Sequence, residues 1–418
     1  MAQLSLTVNE YTVKLDMYLN TGKKIALTEY LKGFTLIHSL KLISPIIILK
    51  IQNIMFHIIN ENIKYFEIDV VSNDEFGSAI HHSKYKLNII SMPNKLYLPS
   101  QYETASYYMD KTIIEIYCFI DDIYNVVTTK IQPLSFNNTS LNNILNSITS
   151  LNSNIELDTS INMTSDSIPQ CYIPTTSMGM AINYLQYWIG FYPGSTVISF
   201  YPYNDKIKLL IKDVNNEITN MDKSDIDIYQ LSINSKIEKQ FQSEYKNPEK
   251  TITSLNVAKH ENNLPLNSIE SNFRIINKPY NSLFSTTKYD LETFLNTYCA
   301  VDKSVDLEED NIKPLVNSTT KLLINHTGMN NNTNWFTSNF ANKFLHSSRL
   351  TFDLERKLKF GYVWPGMICN YIVNDPDQSK FGGKYVIENI IQHMDYTTGT
   401  WKSNMLLTST RTNVYKRN

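Results

Sequence analysis

Four places in this 418-residue chain combine residue type and spacing in a way that could do chemistry. They are the adjacent pair His81-His82, the acidic run Glu308-Glu309-Asp310, the lone His393, and the aromatic cluster Tyr184, Tyr187, Trp188, Phe191 and Tyr192. Two neighbouring histidines in a strand point their rings to opposite faces and do not readily share a metal, so the pair reads as a solvent-facing loop. Paired carboxylates for glycoside hydrolysis need a partner across a cleft, and the acidic run reads as a solvated loop. His393 closes an apolar-rich run beside a turn, where a structural hydrogen bond accounts for it. Catalysis there would need a base or nucleophile that the sequence does not supply. The aromatic cluster suits a ligand box, but a helix–strand packing joint is the simpler reading.

No phosphate-cradling glycine loop, dinucleotide fingerprint, nucleophile elbow or zinc-protease motif is present. Cys118, Cys171, Cys299 and Cys369 have neither C-x-x-C spacing nor a histidine at zinc-site spacing, and they read as buried free thiols. No catalytic residue, cofactor or metal is therefore expected. The formal net charge of −2 and the scattered basic residues argue against nucleic acid as the main partner. The most apolar run, Leu42 to Ile59, is broken by Lys50, Gln52, Asn53 and His57, so no membrane span is expected. The start of the chain lacks a signal-sequence pattern, which implies synthesis in the cytoplasm.

With so little local chemistry, the elements carry the argument. In residues 1–132, Tyr11–Leu19 alternates at period two, and further strand-like runs follow at Gly33–Leu40, Ile46–Ile51, Tyr65–Val71, Tyr85–Met92 and Ile113–Ile120. Short strands at this spacing predict a closed or nearly closed antiparallel barrel, with Asn53–Asn62 as a possible short helix. Residues 133–195 predict a helical middle domain. Leu141, Ile144, Leu145 and Ile148 recur at helical spacing behind Ser140 as N-cap. A second helix follows Ile173-Pro174, buries Met178, Ala181, Ile182, Leu185 and Ile189, and stops at Gly190 or Gly194. A hairpin turns at Tyr203-Asn204-Asp205. Residues 196–212 and 341–412 predict a second β-barrel domain. Residues 213–340 form a polar insert or connector, with helices at 289–300 and 333–344.

The C-terminal signature is the densest pattern. Trp364-Pro365-Gly366 leads into one strand, Gly382-Gly383 suggests a bulge or close backbone approach before a second containing Tyr385 and His393, and Trp401 opens a third. The turns fall at Asn374–Asp377 and Tyr396–Gly399. The fold class is α+β, mainly β: two small antiparallel barrels, a helix-containing middle domain and a polar connector.

The order of parts, and the matches at 141–148, 172–212 and 361–411, resemble the baseplate hub proteins of contractile-tailed bacteriophages. The resemblance implies tail-tube-like barrels and a homotrimer forming a pseudo-sixfold ring between the tail tube and a trimeric spike. It also implies, as partners, the central spike, the tail tube or its initiator, and baseplate wedge proteins. DNA would pass through the ring without sequence-specific binding. The location implied is the virion baseplate, assembled in the host cytoplasm. A tube-initiator or tail-completion protein is the alternative, ahead of a cell-wall hydrolase or a receptor-binding protein.

Overall fold

The computed structural model describes residues 6–8, 11–42, 44–52, 63–73, 79–91, 113–160, 163, 167–219, 224–230, 251–254, 259–262, 270–277, 285–290, 317–325, 334–344, 348–355, 359–373, 382–396 and 400–409. The chain folds into two compact units. The first holds Met1–Asn125, Asp353–Pro365 and Asn389–Met405, and the second holds Val126–Phe352, Gly366–Glu388 and Leu406–Asn418.

The first unit is built from β1 (Tyr11–Leu19), β2 (Leu31–Ser39), β3 (Ile46–Gln52), β4 (Ile63–Asn73), β5 (Ala79–Ser91) and β6 (Ile113–Ile120). They pair in the order β1-β4-β5-β6-β3-β2, all antiparallel, and Asn389–Asp395 adds against Ser39–Gly33 on the far side of β2. Period-two alternation selects the inner face. Val13, Leu15 and Met17 of β1, Ile47, Leu49 and Ile51 of β3, and Ile114, Ile116 and Cys118 of β6 are all buried. β2 and β5 have two strands between them, yet Phe34 and Tyr85 both reach the Phe360 ring, with centroids 5.2 and 5.8 Å away. The sheet therefore curls over Phe360. Trp364 lies in the same core, 5.8 Å from the His38 ring and only 1% exposed.

The outer edge of β1 is covered rather than left as a template for another chain. Leu6–Val8 pairs with Val13–Tyr11, Lys24–Ala26 pairs with Tyr18–Asp16, and between them Leu27 N–H donates to the Leu15 carbonyl at 2.8 Å. Leu15 N–H in turn donates to the Thr28 hydroxyl at 2.9 Å.

In chain order the further elements are α1 (Asp121–Thr128), β7 (Leu134–Ser140), α2 (Leu141–Thr149), β8 (Ile155–Thr159), β9 (Ser167–Ile173), α3 (Met178–Trp188), β10 (Thr196–Tyr203), β11 (Lys206–Asp213), α4 (Val214–Thr219), β12 (Ile226–Gln230), α5 (Asn334–Phe344), β13 (Ile368–Val373), β14 (Gly383–Asp395) and β15 (Thr400–Ser409). In the second unit β10 and β11 form the expected hairpin, turning at Asn204 with φ 53, and β8 joins β11 in parallel. α2 starts at Ser140, whose hydroxyl accepts from Asn143 N–H at 3.3 Å, and buries Leu141, Ile144, Leu145 and Ile148. α3 packs against α2 and α5. β12 pairs in parallel with β13, and the first residues of β14 pair with β13 in antiparallel register.

These divisions differ from the boundaries read in the sequence. Of the expected second barrel, residues 353–365 and 389–405 belong with the N-terminal strands, because Asn389–Asp395 pairs with β2. The polar segment after Thr149 contains β8, and the stretch 213–340 contains strands, including Glu270–Asn277 between Ser285–Asp290 and Asn317–Asn325. Tyr289 and Asp290, placed in a helix by periodicity, end a strand; residues 291–300 and 53–62 lie outside the described residues. The helix expected at 333–344 is α5.

Candidate functional site

Of the signature residues, Trp364, Pro365, Gly366, Gly382, Gly383 and Tyr385 are buried and His393 is half-buried. Pro365 and Gly366 form the turn before β13, which begins at Ile368 and not at the proline. Gly366 has φ 94, its N–H donates to the Ile387 carbonyl at 2.9 Å, and a Cβ there would meet Leu210, Ser199 and Val197 at 3.0–3.3 Å. Gly382 is buried, and Gly383, with φ 136, pairs with Tyr371 in a ladder without a register shift. Tyr385 is fully buried opposite Cys369. His393 Nδ1 lies 2.7 Å from the Thr35 hydroxyl on the neighbouring strand. Trp401 is in β15, and its side chain lies outside the described residues, as does the Asn374–Asp377 turn.

The other candidates separate as well. His81 and His82 are in β5, not in a loop. The His81 ring is edge-on to Tyr362 at 5.6 Å, and burial lowers its pKa. The His82 ring lies 2.8 Å from Asp69 on an exposed site. The acidic run 308–310 lies outside the described residues, and so does Cys299. Cys118, Cys171 and Cys369 are free and buried. Among the described residues, no group of three or more His, Cys, Asp or Glu side chains could hold a metal, and no helix is long and apolar enough to cross a membrane.

One polar cluster was not visible in the sequence. Ser160, after β8, donates its hydroxyl to Glu217 at 2.6 Å and accepts from Asp213 N–H at 3.0 Å. Tyr192 Oη lies 3.1 Å from both the Ser160 and Ile211 carbonyl oxygens. Asp213 Oδ1 accepts from Asn215 and Asn216 N–H, so it caps α4. Burial pushes the Asp213 carboxyl from 3.8 up to about 6. The serine bonds to a carboxylate without an imidazole, and the arrangement ties strand ends to α4 rather than activating a nucleophile.

The aromatic cluster divides in two. Phe191 and Tyr192 are fully buried, as expected of a packing joint. Tyr184, Tyr187 and Trp188 instead line an open groove of about 400 Å³ together with Pro174, Thr176, Met180 and Asn183. Met180, Asn183, Tyr184, Tyr187 and Trp188 share one face of α3, being three or four residues apart. Met180 is 56% exposed, Tyr187 61% and Trp188 45%. Tyr187 and Trp188 stand edge to face at 5.2 Å, with Tyr184 6.2 Å from Trp188. The opposite face of α3 buries Met178, Ala181, Ile182 and Leu185. From behind, Gln186 donates to Ser338 at 2.7 Å, and Asn339 donates to the Tyr187 carbonyl at 3.1 Å. The signal for this groove lies in composition: from residue 131 to 204 there is no Lys, Arg or His, and the acids are Glu156, Asp158 and Asp166. Asp158 is held between Lys208 and Lys212 at 3.2 and 2.6 Å.

No family model matches the chain, and no curated protein matches its sequence. Solved structures do match it. A tail protein from Neisseria meningitidis MC58 is 10% identical, with a TM-score of 0.53 over 95% of this chain and 96% of that one. The 43 kDa tail protein of prophage MuSo2 from Shewanella oneidensis is 11% identical, with a TM-score of 0.51 over 95% and 98%. The chain thus has the mainly β fold of these two tail proteins along nearly its whole length.

Proposed function

We propose that this chain is a structural subunit of a phage-type tail, and within the tail the baseplate hub. The observation that carries this reading is the match of fold over 95% of the chain to two tail proteins, one of them from a prophage, with almost the whole of each of those proteins covered in return. A role in assembly fits a molecule in which Trp364, Pro365, Gly366, Gly382, Gly383 and Tyr385 are packed inside, and we assign it no catalytic function. In this reading three copies form a pseudo-sixfold ring that joins the tail tube to a trimeric spike and frames the channel for DNA. Its partners are the spike, the tube or its initiator, and wedge proteins, and its location is the virion. Closed cyclic assembly of this kind uses surface patches on each subunit rather than a reactive centre.

Light scattering on the purified chain, repeated with the candidate spike, tests the proposal. Three times the 48.4 kDa chain mass, alone or with the spike, supports the hub. A monomer under both conditions overturns it, and a sixfold mass favours a tube initiator instead.

A further inference from the structure

We propose that the groove on the second unit, between the outer face of α3 and the Pro174–Thr176 segment, binds a neutral oligosaccharide, with a sugar ring face stacked on Tyr187 or Trp188. A helix that is apolar on both sides normally lies buried, and α3 carries no charged residue on any side. Its neighbour α2 shows the ordinary alternative, turning Asn142, Asn143, Asn146 and Ser147 outward. Exposed Tyr, Trp and Met side chains gathered in one concavity mark a recognition surface.

The chemistry of the lining selects the ligand. None of the lining residues is cationic, and the exposed Lys130, paired with Ser177 at the groove's edge, is a single charge, so a polyanion or a phosphate headgroup would find no cluster of counter-charges in the groove itself. None of the lining residues is acidic, so a cationic ligand would find only ring faces. Tyr187 and Trp188 pack against each other at an interplanar angle of 85°, and so present a stepped surface rather than a cage around an ammonium ion. Interleaved with the rings are the Thr176 hydroxyl, the Asn183 amide and the tyrosine hydroxyls. A wholly apolar partner would strip water from these groups without replacing its hydrogen bonds. A pyranose ring offers what remains: an apolar C–H face for an aromatic ring, hydroxyls around its rim, and no charge. The volume of about 400 Å³ is small for a ligand pocket and suits one or two such rings of a longer chain.

The test is calorimetric titration of the full chain with a glucose tetramer and an N-acetylglucosamine tetramer, and with choline and heparin as charged probes. The expected result is binding of at least one neutral tetramer with Kd of about 0.1–1 mM. Trp188→Ala and Tyr187→Ala should each weaken it at least about tenfold. Tyr117→Ala, which removes an exposed ring from the first unit, should leave it unchanged. Circular dichroism of each variant distinguishes a lost contact from a lost fold. The proposal is overturned if neither tetramer binds at about 10 mM, if binding survives both ring deletions, or if only a charged probe binds. It is also overturned if the ring deletions change the mass of the assembly and no sugar binds, which would make the groove a protein contact. The outcome is separable from the hub reading: a trimer that binds no sugar sinks only this proposal, and a sugar-binding monomer sinks only the other.

Discussion

Three glycines allow backbone strain and steric clash to be measured apart. Gly22 has φ 82 with nothing within 4 Å of a Cβ placed on it. Gly190, just past α3, has φ 78, and a Cβ there would lie 2.5 Å from the Asn334 carbonyl carbon and oxygen and 2.7 Å from Trp335 N. Gly179 has ordinary helical φ, and its Cβ would lie 2.6 Å from Val127 Cγ1. Alanine at Gly22 should therefore cost only the left-handed backbone term, about 1 kcal/mol. Alanine at Gly190 adds displacement of the α5 backbone, for a total of about 2–4 kcal/mol. Alanine at Gly179 gains helix propensity of about 1 kcal/mol but crowds a valine held to one rotamer in α1. Its net cost should be between zero and about 1 kcal/mol. Differential scanning calorimetry on the full chain reads these as shifts in the affected transition. At about 2–4 °C per kcal/mol for units of these sizes, Gly190→Ala should lower Tm by about 4–16 °C and Gly22→Ala by about 2–4 °C. Equal costs at Gly190 and Gly22 would refute the close approach of the Gly190 and Asn334 backbones. That approach is what seats α3 on α5.

Asp213 makes stability pH-dependent. Its folded pKa of about 6 exceeds the ordinary 3.8 because burial disfavours the charge, with Glu217 adding to the effect against the Asn215 and Asn216 N–H groups. The stabilisation is thus complete below pH 3.8 and is lost as pH rises through about 6, amounting to about 3 kcal/mol. Asp213→Asn keeps the cap oxygen, so urea unfolding should show the variant gaining on the wild type across that window; a constant difference with pH would contradict it. Burial raises the Cys118 thiol to about 12 and the Cys171 thiol to about 11, and holds the Cys369 thiol well above its ordinary value. With Cys299 replaced by serine, the native chain should resist a thiol reagent at about pH 8, and stoichiometric labelling without denaturant would show these sites to be open. Gly383→Val places a β-branched residue at φ 136 and should cost about 1–3 kcal/mol and impair assembly. Normal assembly at unchanged thermal stability would remove the backbone argument.

What the sequence revealed was local. Strand alternation named β1 from Tyr11 to Leu19 and β6 from Ile113 to Ile120, because every second side chain meets one core. Ser140 and the Tyr203–Asp205 turn were legible because caps and tight turns depend on neighbours in sequence. Pairing between distant segments was not. Nothing in Ile155–Thr159 says that it lies parallel to Ile207–Ile211, and nothing in Asn389–Asp395 names Gly33–Ser39 as its partner. Period two fixes which face a strand buries but leaves its neighbour open. The Ser160–Asp213–Glu217 cluster was hidden for the same reason, since it joins residues more than 50 positions apart.

The division of the aromatic cluster was hidden for a different reason. Tyr184, Tyr187, Trp188, Phe191 and Tyr192 form one cluster in sequence, and aromatic residues in a cluster ordinarily pack together. Helix geometry separates them: α3 ends at Trp188, Gly190 turns the chain, and the two rings beyond it point into the core. The rings before it share the helix face opposite Leu185. Type alone could not distinguish these sets, but charge could have. A buried joint makes no demand on the charge of the surrounding surface, whereas residues 131–204 exclude cations from exposed positions as well as buried ones. At 10–11% identity the two matching tail proteins show how little of this fold depends on particular residues. Against so permissive a scaffold, a chain segment that leaves out a whole class of side chain while exposing Met180, Tyr187 and Trp188 points to what α3 meets, and α3 is where that encounter should be measured.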